Sequence, residues 1–116
     1  MENEELRKAV VEFEQGRNQL MGLSGQKQQL QFQSKTLGEA LEELGKTTEK
    51  KVYKAVGNIL ILSDAVAVKK ELTEQKEASD LRVKTLQKQE DSLVTKLNKL
   101  KTIIESSQKP AEKPSK

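Results

Sequence analysis

Chemistry at neutral pH needs groups that can move a proton, attack a carbonyl or hold a metal, and this sequence supplies few. Its 116 residues contain no cysteine and no histidine. That removes the thiolate nucleophile, the commonest general base and the usual zinc ligands together, and no disulfide can form. Carboxylates are plentiful, and the neighbours Glu42-Glu43 and Glu90-Asp91 have the residue types of an acid–base pair. Both fall in helical patterns among lysines, where solvated side chains are the rule. No glycine-rich loop leads into a helix to cradle a phosphate. No catalytic residue, metal site or cofactor is therefore expected, and an enzyme is not. The apolar residues are left to explain.

Those residues are spaced for helices. Leu6, Phe13, Leu20, Lys27, Ser34 and Leu41 recur every seven positions, and Ala9, Gly16, Leu23, Leu30, Leu37 and Leu44 follow each by three. This is the a/d stripe of a coiled coil. It predicts a helix over 3–45, ended by Gly45 and roughly 60 Å long at 1.5 Å per residue. A second stripe joins Leu72, Ser79, Leu86, Leu93 and Leu100 to Lys76, Val83, Glu90, Leu97 and Ile104, predicting a helix over 66–105. Antiparallel packing requires facing positions whose numbers total a constant. Leu44 with Leu72 and Leu23 with Leu93 total 116, and Leu20 with Leu97 totals 117. In that register Lys27, the basic interruption of one stripe, meets Glu90, the acidic interruption of the other. Such a pair fixes register more than it adds stability, because desolvation offsets the attraction. Both side chains snorkelling out of a narrow seam is the alternative. Lys76, opposite Leu41, is expected to snorkel.

Between the helices the period changes. Val52, Tyr53 and Val56 precede Gly57-Asn58, and Ile59, Leu60, Ile61 and Leu62 follow, so 51–63 reads as a β-hairpin. Gly supplies a positive φ at the turn and Asn tolerates one. The second strand is apolar on both faces, and a lone hairpin of that kind needs company. The start of the second helix is open between Asp64, a good N-cap, and Val68. Gly22, Gly25 and Gly38 fall at outward positions, with a hinge conceivable near 22–25. One domain over 1–105 and a disordered tail over 106–116, which holds both prolines, complete the organisation.

Composition agrees with a thin fold. Hydrophobic residues make up 34% and aromatics 3%, too lean for an ordinary globular core. Net charge is +3, and six lysines against two carboxylates crowd 46–70 around a single aromatic, Tyr53. That density falls short of a nucleic-acid surface, which combines a basic stripe with stacking aromatics. No run reaches the length of a membrane span, and Glu2-Asn3-Glu4-Glu5 does not resemble a signal peptide, so a cytoplasmic protein is expected.

The hairpin Val52-Tyr53-Lys54-Ala55-Val56-Gly57-Asn58-Ile59-Leu60-Ile61 resembles that of archaeal prefoldin beta subunits. Ala40-Leu41-Glu42-Glu43-Leu44 at the close of the first helix is similar too. So are Gln26-Lys27-Gln28, Arg82, Lys84-Thr85 and Gln89-Glu90, in the same order and spacing. The resemblance spans roughly residues 5–105, and a single hairpin is similar to the beta type. It implies a mainly α fold: a long two-helix antiparallel coiled coil with a central hairpin that joins others in a β-barrel. It also implies a hexamer with alpha-type prefoldin subunits, two alpha and four beta. Unfolded polypeptides would be held at the coil tips without ATP for delivery to a group II chaperonin. The tip residues would be Leu6, Val10, Val11 and Phe13 with Leu97, Leu100, Ile103 and Ile104. Gly16, opposite Leu100, is expected to leave that end underfilled. An antiparallel coiled-coil adaptor without clients is the competing reading, but it has no need of a two-sided apolar hairpin.

Lys27→Glu is expected to lower thermal stability, and adding Glu90→Lys to restore part of the loss. The recovery should not exceed about 1 kcal/mol. Double-mutant losses that merely add would show the two residues to be uncoupled.

Overall fold

The structure, a computed structural model, describes residues 3–108. It runs α1 (Asn3–Lys46), β1 (Lys51–Val56), β2 (Ile59–Asp64) and α2 (Ala65–Gln108). Glu4 and Glu5 in the first turn of α1 and Lys46 in its last complement the helix dipole. Gly45 does not stop the helix. Among the described residues only Gly57 has a positive φ, so Gly45 stays within the last turn. The Thr47 amide still donates to the Glu43 carbonyl at 3.2 Å. The chain then leaves as Thr47 Oγ1 accepts from the Glu49 amide at 3.1 Å.

The strands pair antiparallel from Lys51↔Asp64 to Val56↔Ile59, leaving Gly57-Asn58 as a two-residue turn. Gly57 has φ +60 and Asn58 does not share it, the pattern of a type II′ turn with glycine in its first central position. The tolerance of Asn for positive φ is thus not used. No linker separates β2 from α2. The Ala65 amide donates to the Lys50 carbonyl at 2.8 Å, so the first helical residue makes the last rung of the ladder. Asp64 stands just before the helix, and its carboxylate accepts from Lys51 Nζ at 2.6 Å. Residues 106–108 extend α2 rather than belonging to a tail. The rest of the expected tail, 109–116, lies outside the described residues.

Helix packing forms two units, one joining the chain up to Gln26 with that from Thr85 onward, the other spanning Lys27–Lys84. In the first, the helices run antiparallel around buried Ala9, Leu97 and Leu100, with Phe13, Leu20, Leu93 and Ile104 packed against them. Among the described residues Leu86 is the most enclosed large side chain, 1% exposed. Buried Gly16 does not leave a gap. A Cβ placed there would lie 2.6 Å from Leu97 Cδ2 and 3.7 Å from Leu93 Cδ1, so two leucines already fill the space. Glu90 is buried, and the Ser24 hydroxyl, which the heptad pattern did not single out, donates to its Oε2. Lys27, at its seam position in the second unit, is partly buried.

The second unit has a more polar seam. Val68 is buried in the first turn of α2, at its hairpin end, while Ser34 and Ser79 are buried at seam positions whose leucine neighbours are partly covered. The Ser34 hydroxyl donates to Asp80 Oδ1, and Lys76 Nζ reaches Asp80 Oδ2 at 3.0 Å. Lys76 therefore does leave the seam, towards a carboxylate on its own helix. Gly38 does not face outward. A Cβ there would lie 3.2 Å from Lys76 Cε, so the missing side chain makes room for the lysine stem. The Ser34 hydrogen bond, followed by that from Lys76, holds the Asp80 carboxyl below its usual value. A carboxylate depressed in this way stabilises the fold above the unfolded-state pKa. The contribution is lost as pH falls through the lower folded-state value.

Gly22 and Gly25 face open space, with nothing within 4 Å of an added Cβ. Alanine at either should raise stability by about 1 kcal/mol through helix propensity alone. Gly16→Ala should gain less or lose, because Leu97 must move aside. Thermal unfolding followed by circular dichroism ranks the three.

Candidate functional site

The described residues hold no group of three or more acidic side chains suited to a metal ion. No described helix is long and apolar enough to cross a membrane. What stands out is apolar surface, at two places.

The first is the hairpin. Alternation along paired strands puts Tyr53, Ala55, Leu60 and Leu62 on one face, and Val52, Lys54, Val56, Ile59, Ile61 and Ser63 on the other. No residue of β2 is buried, although four consecutive members are aliphatic. Ile59 is 60% exposed, Leu60 67%, Ile61 44% and Leu62 57%, with Tyr53 and Val56 exposed beside them. The cause is geometric. A two-strand sheet has no second layer of its own to cover it, and among its residues only Val52, Lys54 and Ser63 are partly buried. Lys54 Nζ contacts both oxygens of Glu71, at 2.7 and 2.8 Å.

The second is in the other unit, at the start of α1 and the end of α2. The eight residues expected there divide by role. Phe13, Leu97, Leu100 and Ile104 belong to the core of the seam, and Leu6 is partly covered. Val10, Val11 and Ile103 lie outside it and are exposed. With Gly16 tightly packed, exposure here owes nothing to a loosened seam; Val10 and Ile103 flank the stripe and Val11 lies on the outward face, where a second helix does not reach.

Sequence reading passed over other exposed apolar side chains, chiefly Phe32 at 70%, Leu81 at 67%, Met21 at 66% and Val66 at 82%. The signal was available: large apolar residues at outward heptad positions. Phe32 borders a shallow depression formed with Gln29, Leu30, Gln33, Thr36 and Leu37.

Comparison with known proteins joins these features. A family model described as "Prefoldin subunit" matches residues 7–111. A prefoldin subunit beta of Archaeoglobus fulgidus is 45% identical over 85 residues, covering 72% of this chain and 73% of that protein. A prefoldin subunit beta of Pyrobaculum arsenaticum is 37% identical over 100 residues, covering 85% and 81%. The crystal structure of the prefoldin beta subunit from Thermococcus strain KS-1 superposes with a TM-score of 0.80 at 28% identity. That match covers 89% of this chain and 91% of the other.

Proposed function

The chain belongs to the prefoldin subunit family, among relatives of the beta type, and we propose from that premise that it is the beta-type subunit of a client-holding chaperone. Four such chains would join two alpha-type subunits through their hairpins in a β-barrel body. The helix ends remote in sequence from the hairpin would hold unfolded polypeptides without ATP and pass them to a group II chaperonin. The protein would work in the cytoplasm.

One observation carries this reading: a strand of four consecutive aliphatic residues left open on both faces. Each aliphatic side chain fully buried contributes about 1.5–3 kcal/mol. Several hairpins closing on one another therefore gain enough to offset the entropy of association. Closure also satisfies the strand edges, which otherwise invite uncontrolled pairing. The patch of Val10, Val11 and Ile103 suits a different task. It is small and its three members are aliphatic, offering no directional group of their own, so it supports weak contact with many apolar segments.

Replacing Ile59, Leu60, Ile61 and Leu62 together by Thr keeps β propensity but removes most of the apolar area. Circular dichroism should show helicity preserved, while sedimentation should show no assembly with an alpha-type prefoldin subunit. A variant that still assembles to full mass would sink the assembly role.

Substituting Val10, Val11 and Ile103 by Ser touches no core residue, so assembly mass and most thermal stability should survive. Light scattering of a diluted, denatured client should then rise several-fold relative to the parent chaperone. Scattering unchanged at intact mass would move the client surface elsewhere.

A further inference from the structure

The hairpin offers two apolar faces, and the protomer covers part of only one. On the Val52–Lys54–Ser63 face, the Lys54 ammonium holds both oxygens of Glu71, a residue in the second turn of α2. Val52, Lys54 and Ser63 on this face are partly buried. The opposite face has no such tie. Its large apolar side chains are Tyr53, 69% exposed, Leu60, 67%, and Leu62, 57%. Its charges, Lys51 and Asp64, pair with each other at the rim nearest the helices. Resting on the assembly reading above, we infer that the Lys54–Glu71 ion pair clamps one face of the hairpin over α2. The clamp thereby selects the Tyr53–Leu60–Leu62 face as the one covered by strands of a neighbouring subunit.

Three physical points converge. In a two-strand sheet each strand has one partner, and its other edge carries unpaired backbone donors and acceptors. Only another strand satisfies these in series, so the occupant is a strand pair rather than a helix or a small ligand. Strands added at the edges extend the sheet, and a curved sheet must enclose one face. A face already tied to its own helix by a charged group cannot become that interior without stripping water from Lys54 and Glu71. The face that lacks charges between its rim and the turn has no such penalty. The pair thus acts on orientation. One ammonium within hydrogen-bond reach of both Glu71 oxygens, across a linker-free junction, sets which way the hairpin rolls where it meets α2.

Because the chain has no cysteine, single cysteines can read the two faces directly. Leu60→Cys and Ile59→Cys are adjacent, point to opposite faces and start from similar exposure, 67% and 60%. Thiol-labelling rates are measured with and without saturating alpha-type prefoldin subunit, with the mass followed by sedimentation. Assembly should slow labelling at Leu60→Cys about tenfold or more and at Ile59→Cys by no more than about twofold. Adding Lys54→Gln should shrink that contrast, and the swap Lys54→Glu with Glu71→Lys should bring it back. Equal or reversed protection at full assembled mass overturns the face assignment while leaving assembly standing. A contrast untouched by Lys54→Gln, or not regained by the swap, overturns the clamp. Failure of the parent cysteine variants to gain mass at all overturns the assembly reading on which both rest.

Discussion

A pair of helices lying side by side encloses one stripe of each and nothing more, and the rest of this protein follows from that limit. The a/d positions are buried or partly buried along both helices, while aliphatic residues one position off the stripe, such as Val10 and Val94, are exposed. A globular domain would fold a third element over such residues. Here the third element is a hairpin that enters and leaves through the same helix ends. It can be covered on one side at best. Apolar surface is therefore left over at defined places.

The seam carries polar groups where a purely stable coil would carry leucine. Ser24 bonds Glu90 in one unit and Ser34 bonds Asp80 in the other, each linking α1 to α2. In both cases the residue numbers total 114, but the seam member is Glu90 of α2 in one bond and Ser34 of α1 in the other, so the flanking residue comes from opposite helices. Leucine stripes alone tolerate a slip of one heptad, because every slipped layer is again apolar. A slip would take the buried Glu90 carboxylate away from the Ser24 hydroxyl and Ser34 away from the half-exposed Asp80, losing both hydrogen bonds, and the buried one disfavours the slip most. Specificity of register is the physical return for the stability forgone.

The junction between sheet and helix is as economical. With the Ala65 amide completing the strand ladder and no linker behind it, the hairpin's direction is set by α2. Gly57 closes the far end with the one backbone conformation that glycine adopts without strain. Between them, Lys54 and Glu71 settle the roll. Position, turn and roll are fixed within one protomer, which leaves its partners a preformed surface to meet.

The seven-residue spacing of apolar residues was enough to locate both helices, and the change of period around Gly57-Asn58 the hairpin between them. Periodicity is a one-dimensional property, and burial in a coiled coil depends on little else. The same spacing showed that Val10, Val11 and Ile103 lie off the stripe. What it could not show was how neighbours fill space across the seam. Gly16 read as a gap until Leu97 was seen over it, and Gly38 as an outward residue until the Lys76 stem was seen beside it. Ser24 and Ser34 were invisible as partners of Glu90 and Asp80, because a hydroxyl's role depends on what stands opposite. Gly45 has the composition of a helix stop but lies inside α1, since the Glu43–Thr47 hydrogen bond holds the turn beyond it. Alternation alone left the two hairpin faces equivalent. The contact between Lys54 and Glu71, seventeen residues apart in sequence, made them different. Local pattern determines which elements form, whereas side-chain contact between elements, set only once they are packed, decides which of their faces remain for other molecules.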